Sequence, residues 1–262
     1  MSTLDRDPSD RHSGIRRIPG PDALAPAGNR LLAMLSPDDR ALLRPTVEPL
    51  SLEVRQVLHR AGETIDHAYF VESGLVSIVG ANKRNRRIEI GMVGYEGLTG
   101  VELVLGADRG CNEALVQSAG SALRISRAGL RDAMAASRSL TSTLLLFVHA
   151  FMVQGCHTAI AGGRGKIDER LARGLLMWHD RIRQDEFFTT HEFLALLLGV
   201  RRQGVTVALH VLEGKRLIRS RRNLLQILDR EGLKRAANGF YGTAEEEYDR
   251  LLGAAAPIDR AA

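Results

Sequence analysis

The spacing of hydrophobic and polar positions changes several times along this chain, and each change marks a different kind of element. From Asn29 to Leu43, the residues Leu31, Leu32, Leu35, Leu42 and Leu43 recur at helical spacing around Ser36-Pro37-Asp38, a capping site. Two short helices are predicted there. Between Val47 and Ser126 the texture shortens to runs of Val, Ile, Leu and Tyr punctuated by glycine. Strands are predicted at Gln56–His59, Ala68–Glu72, Leu75–Val79, Arg87–Val93, Ala114–Gln117 and Ala122–Ile125, with Asn82 to Arg86 as a polar hairpin tip. Many short strands with turns at close spacing imply an all-β barrel, sandwich or roll.

Helical spacing resumes at Arg127 and is strongly apolar from Leu140 to Ile160. Leu144, Val148, Phe151, Gly155 and Thr158 alternate by four and three, the seam of a coiled coil, while Leu145, Phe147 and Met152 make the other sides apolar too. Such a helix needs two packing partners. One side is expected to cover the β-domain and the seam to meet the same helix of a second copy; the alternative is a helix buried within one monomer. With His149 and Gln154 interrupting it, the apolar run is read as shorter than the roughly 20 residues a membrane span needs. Gly162 to Gly165 breaks the helix, and the next, Lys166 to Arg183, carries Ile167, Leu171, Leu175, Trp178 and Ile182 on one face.

The stretch from Phe187 to Arg222 then reads as helix, tight turn, helix and basic hairpin. Thr189 with Glu192 forms a capping box, and Phe188 with Phe193 occupies the staple positions around it. Gly199 supplies a turn at positive φ, and Val205 is placed to wedge between the two helices. The second helix is predicted over Arg201 to Glu213, with Val205, Leu209 and Leu212 inward and Arg201, Arg202, Gln203 and Thr206 outward. Strands at Leu217–Ser220 and Leu224–Leu228 complete a winged helix-turn-helix. Beyond it, Asp229 to Asn238 reads as a short helix capped by Asp229, and Thr243 to Leu252, rich in Glu, as a solvated helix before an Ala-rich tail.

Charge sharpens this picture. The 262-residue chain carries a net +5, yet positions 163–240 alone hold sixteen Lys and Arg against nine Asp and Glu, so the remainder is slightly acidic. A polyanionic partner for the C-terminal unit follows, and double-stranded DNA fits it. Arg can pair with guanine and Gln with adenine in the major groove, each good pair discriminating by about 1–3 kcal/mol. Arg202 and Gln203 are therefore the first candidates for reading bases, with Thr206 beside them. Thr190, Arg201, Lys215, Arg216, Arg219, Arg221 and Arg222 are suited to phosphates.

Composition excludes other classes. Cys111 and Cys156 are too few for a disulfide framework and form no C-x-x-C pair, which reads as reduced thiols in the cytoplasm. Residues 1–26 contain no long apolar run and read as a disordered arm, without secretory signal or anchor. An enzyme is not expected. His191-Glu192 lacks the second His of a zinc protease helix, Gly162 to Lys166 lacks phosphate-loop spacing, and Gly91, Gly94, Gly97 and Gly100 fall among strands, unlike a dinucleotide fingerprint.

The order of parts resembles the Crp/Fnr family of bacterial transcription regulators. Ala61-Gly62-Glu63 before a strand, the run from Ala68 to Ile78 with Gly74 between strands, and Gly199 with Arg202 carry the likeness. The resemblance implies an α+β chain: an arm at 1–26, a jelly-roll-like β-roll sensor at 27–138, a dimerisation helix at 139–162, the winged unit at 163–240, and a C-terminal helix and tail at 241–262. It also implies a cytoplasmic homodimer on a near-palindromic DNA site, with RNA polymerase as a further partner and no membrane. The family's reading positions fall on Arg202, Gln203 and Val207, where an apolar side chain replaces a polar reader. Its ligand pocket falls on Gly100, Glu102, Arg109 and Asn112, where the expected Gly-Glu pair is split by Val101 and the expected Arg position falls near Asn112. Without a paired cation a cyclic phosphate is poorly held, so cyclic AMP is not expected. Neither is an iron-sulfur cluster, which needs four cysteines, nor haem through Cys111, His149 or His157. The effector stays unidentified. The competing reading is a receptor module whose winged unit serves protein contacts.

Overall fold

The computed structural model describes residues 28–253; the arm expected at 1–26 and the last residues of the tail lie outside them. Asn29 caps α1 (Arg30–Ala33) and its amide also donates to the carbonyls of Val71 and Gly97, tying the chain's entry to the sheet. Ser36 caps α2 (Pro37–Leu43), where Pro37 occupies the first turn and loses no helical bond. The sensor strands follow as β1 (Val47–Leu52), β2 (Val57–His59), β3 (His67–Ala81), β4 (Arg87–Val93) and β5 (Leu98–Thr99), then α3 (Val101–Val104) and β6 (Glu113–Ser126).

All pairings are antiparallel, in the order β1-β6-β3-β4, with β2 also on β6 and β5 on β3. The four strands predicted on either side of Gly74 and Gly120 are two continuous ones. Gly74 takes φ +84°, and a Cβ on Gly120 would lie 2.1 Å from the Ser73 carbonyl. The ladder shifts register there. Glycine lets both backbones bend in contact, so the strands fold over into a roll instead of ending.

Next come α4 (Arg127–Ala136), α5 (Arg138–Arg164), α6 (Ile167–Ile182), β7 (Glu186–Phe188), α7 (His191–Leu198), α8 (Arg202–Gly214), β8 (Ile218–Arg221), β9 (Leu224–Ile227), α9 (Arg230–Ala236) and α10 (Thr243–Leu252). α5 is 27 residues long and contains an 18-residue window of mean hydropathy 1.6, the length and composition of a membrane span, contrary to the sequence reading. Its buried Leu140, Leu144, Phe147 and Val148 instead join Phe70, Leu98, Leu123 and Ile125 in the sensor core.

The expectation of a solvated final helix is also corrected. α10 lays Ala244, Tyr248 and Leu252 along α5, the Tyr248 hydroxyl donates to the Glu96 carbonyl, and Arg30 pairs with Asp249 at 2.8 Å. Of its glutamates, Glu247 lies 3.4 Å from His149 of α5, Glu245 is half-buried, and only Glu246 is exposed. The winged unit rests on the sensor sheet as well: Leu75 and Met92 enter the core around Leu171, Trp178 and Val205, and Phe193 packs with Val79 and Leu115.

Candidate nucleic-acid interface

α7 and α8 are bent by 98° across the turn at Gly199, whose φ is +61°. Val205, fully buried, fills the angle with Leu194, Leu198 and Leu209. The cap lies one residue later than the sequence reading placed it. The Thr190 hydroxyl accepts from the Phe193 amide, whereas Thr189 is buried with its hydroxyl unpartnered and its amide donating to the Asn223 carbonyl. Pairing of β7 with β9 places Thr189 beside the wing, and that decides between two threonines that local sequence cannot separate. Glu192 closes no capping box; it lies 3.7 Å from Arg202 and 3.2 Å from Arg55 of the sensor.

α8 buries Val205, Ala208, Leu209 and Leu212. The opposite face carries Arg202, Gln203 and Val207, exposed, with Val207 at 64%. Thr206 is half-buried and donates to the Arg202 carbonyl, so the four candidate readers share one face with different reach. Arg201 precedes the helix, Lys215 and Arg216 follow it, and Lys215 lies 4.0 Å from Asp168. The wing, β8 and β9, carries Arg219 and Arg221 on its first strand and Arg222 at its tip, all exposed. Glu213 at the end of α8 accepts from the Ser220 amide and fixes the wing against the reading helix.

The sensor pocket is less complete. Gly100, Glu102 and Asn112 line a cavity of about 50 Å³ with His59, Thr99 and Phe151. Arg109 is exposed and absent from that lining, because its segment bridges to Thr64 on the outside; its assignment to the pocket is corrected. Glu102 instead lies against Gly110, where a Cβ would be 2.5 Å away. Among the described residues, the lone basic side chain in the lining is His59, which shares a hydrogen bond with Thr99. Burial, with His67 nearby, lowers its pKa to about 4, so it is neutral near pH 7. Two carboxylates, Glu102 and Glu113, face a space far smaller than the roughly 300–1,000 Å³ of ordinary ligand sites.

The residues predicted for a seam on α5 are largely taken up within the chain. Leu144 and Val148 are buried in the chain's own core, Phe151 lies against Gly91, and Thr158 accepts from Arg173. Gly155 has the Ile90 carbonyl 3.9 Å from its missing Cβ. The exposed stripe is the next one round: Leu145, His149, Met152, Cys156 and Ala159, with the same alternation of four and three. Leu144-Leu145-Leu146 offers apolar residues in successive registers, so periodicity alone could not choose.

An antiparallel roll, one long helix and a winged helix-turn-helix on a single chain define a β-roll protein with a DNA-binding type of C-terminal unit. Comparisons agree with that class: residues 49–137 match the cyclic nucleotide-binding domain and residues 169–236 the Crp-like helix-turn-helix domain. The chain belongs to the Crp/Fnr family of transcription regulators. Similar solved structures include FixK2 from Bradyrhizobium japonicum, at 17% identity and TM-score 0.63 over 72% of this chain and 96% of that one. TTHA1359, a CRP/FNR family regulator from Thermus thermophilus, is similar at 21% identity and TM-score 0.61 over 74% and 100%. At such identities the likeness bears on the fold. No curated protein matches the chain.

Proposed function

We propose that the protein is a cytoplasmic, homodimeric, sequence-specific transcription regulator that places α8 in the major groove and its wing along the phosphates. The observation that carries this is the division of α8: one face closes the core of the winged unit, and the other leaves Arg202, Gln203 and Val207 open to solvent. Arg202 and Gln203 read bases, Val207 contacts a thymine methyl, and Thr206 supports them. Thr190, Arg201, Lys215, Arg216, Arg219, Arg221 and Arg222 bind phosphates. Two copies join along the exposed stripe of α5 and present two reading helices about 34–36 Å apart to a near-palindromic site. RNA polymerase is the further partner inferred, and the signal that the roll senses is unassigned.

The test is selection from a random duplex pool at near-physiological salt. Enrichment of a two-fold site with half-sites one turn apart supports a dimeric reader. Binding that shows neither sequence enrichment nor dependence on salt overturns it.

A further inference from the structure

A second cavity, about 260 Å³, lies outside the roll, where α1, the loop after β4, α5, α6, α9 and α10 meet. Its apolar side is aromatic. Phe147 and Phe151 stack with centroids 6.4 Å apart, and Tyr248 meets Phe147 edge-on at 6.5 Å. Its polar side is an almost closed set of charges. Arg30 pairs with Asp249 at 2.8 Å, Arg181 with Glu96 at 2.7 Å and Arg230 with Asp180 at 2.6 Å. A fourth carboxylate, Glu245, accepts from the Gly242 amide and makes no ion pair among the described residues. The field of Arg173 and Arg181 reaches it from within the protein.

The lining favours one sign of charge. It holds three guanidiniums, each committed to a carboxylate, against four carboxylates; Glu245, the fourth, is reached only through the field of Arg181 and of Arg173 buried behind it. An anion would have to displace a partner from a guanidinium; a cation would not. The rings favour the same sign, since their faces attract cations. The cavity's tyrosines already do so, with Arg30 4.6 Å from the Tyr248 centroid and Arg183 3.7 Å from that of Tyr95.

We propose that this cavity binds a small organic monocation with an aromatic body, the charge beside Glu245 and the ring on Phe147 and Phe151. The lining comes from the sensor, the long helix and the C-terminal unit. A ligand touching all three favours the arrangement in which they meet over any other. That consequence for regulation rests on the proposed function; the binding itself does not.

The experiment is calorimetric titration of the full chain with benzyltrimethylammonium and, separately, with phenylacetate, a ring of opposite charge. One-site binding of the cation is expected, with phenylacetate neither binding nor competing. Glu245→Gln, which keeps an acceptor for the Gly242 amide, should weaken the cation at least fivefold. Ala150→Met, which fills the cavity from α5, should abolish binding, and circular dichroism of each variant separates loss of the site from loss of the fold. Phenylacetate binding as tightly as the cation, cation binding indifferent to both folded variants, or no binding of the cation at millimolar concentration would each overturn the proposal. DNA takes no part in the readout, so failure of the DNA-binding reading leaves the result intact.

Discussion

Leu144 and Leu145 are neighbours on α5 and face opposite environments: Leu144 is 0% exposed, in the core of the roll, and Leu145 is 43% exposed, on the same stripe as Met152 at 61%. One step along a helix is a rotation of about 100°, enough to exchange core for interface. The two residues should therefore fail differently. Leu145→Asp combined with Met152→Glu should leave the urea midpoint of the monomer nearly unchanged and shift sedimentation from dimer to monomer. Leu144→Ala should cost about 2–5 kcal/mol of stability through the cavity it leaves. Dimerisation lost in the second variant while the first stays dimeric would return the seam to its original register.

Cys156 lies on the same stripe. In a parallel pair of helices, seam residues meet their own counterparts across the two-fold axis. Mild oxidation of a Cys111→Ser variant should give a covalent dimer on non-reducing gels, and oxidation of Cys156→Ser should not.

Arg202 and Arg221 are both exposed, so neither is needed to hold the fold. Arg202→Ala should lose about 1–3 kcal/mol of discrimination at one base position while keeping non-specific affinity. Arg221→Ala should weaken all duplexes alike and reduce the salt slope by about one. Binding measured on a selected and a scrambled duplex at several salt concentrations separates the two; equal loss on both duplexes from either substitution would abolish the division between base and phosphate contacts.

Gly204 lies in the first turn of α8, and a Cβ there would meet the side chains of Val200 and Ile167 at 3.4 and 3.5 Å, ordinary contact distances. Gly204→Ala should raise stability by about 1 kcal/mol, the helix propensity difference. DNA affinity should not change, because the added methyl faces the turn and α6. A fall in affinity with a gain in stability would show that the DNA backbone approaches this glycine closely.

Glu89 is 4% exposed on β4. Burial raises its pKa to about 7, against the Ser77 hydroxyl and the more distant Arg181 and Arg173, which favour the charged form. The folded state thus holds a proton that the unfolded state has lost, and this group's contribution to stability falls as pH rises from the ordinary 4.5 to about 7. His59, lowered to about 4, acts the other way, losing stability as pH falls below its usual 6.5. Comparison with the parent isolates Glu89: Glu89→Gln should gain stability relative to it above pH 7 and little below pH 5, read from urea midpoints. A constant difference between the two proteins across that range would remove Glu89 from the pH response.

Local physics made much of this protein legible before folding. Ser36 and Asp229 announce helix starts because each side chain reaches an amide of the first turn. Gly199 announces the turn between α7 and α8 because the backbone there needs positive φ, and β4 spans the residues predicted for it. The division of α8 into a buried face with Val205, Leu209 and Leu212 and an exposed one with Arg202 and Gln203 followed from helical period.

What required the tertiary structure was every choice among locally equivalent options. Thr189 and Thr190 are both good caps, and pairing of β7 with β9 selected the second. Gly74 and Gly120 punctuate the sequence as strand ends, yet their backbones meet and let two strands continue through the bend. α10 reads as solvated by its glutamates, although Ala244, Tyr248 and Leu252 keep helical spacing and bury on α5. The exposed stripe of α5 and the charged cavity were least legible. The first depends on which of several apolar stripes the chain covers for itself, and the second joins residues from Arg30 to Asp249 that only packing brings together. Sequence determines what each segment can do with its neighbours a few positions away; which face is spent inside the chain, and which is left for a partner, is decided by distant segments competing to bury the same surface.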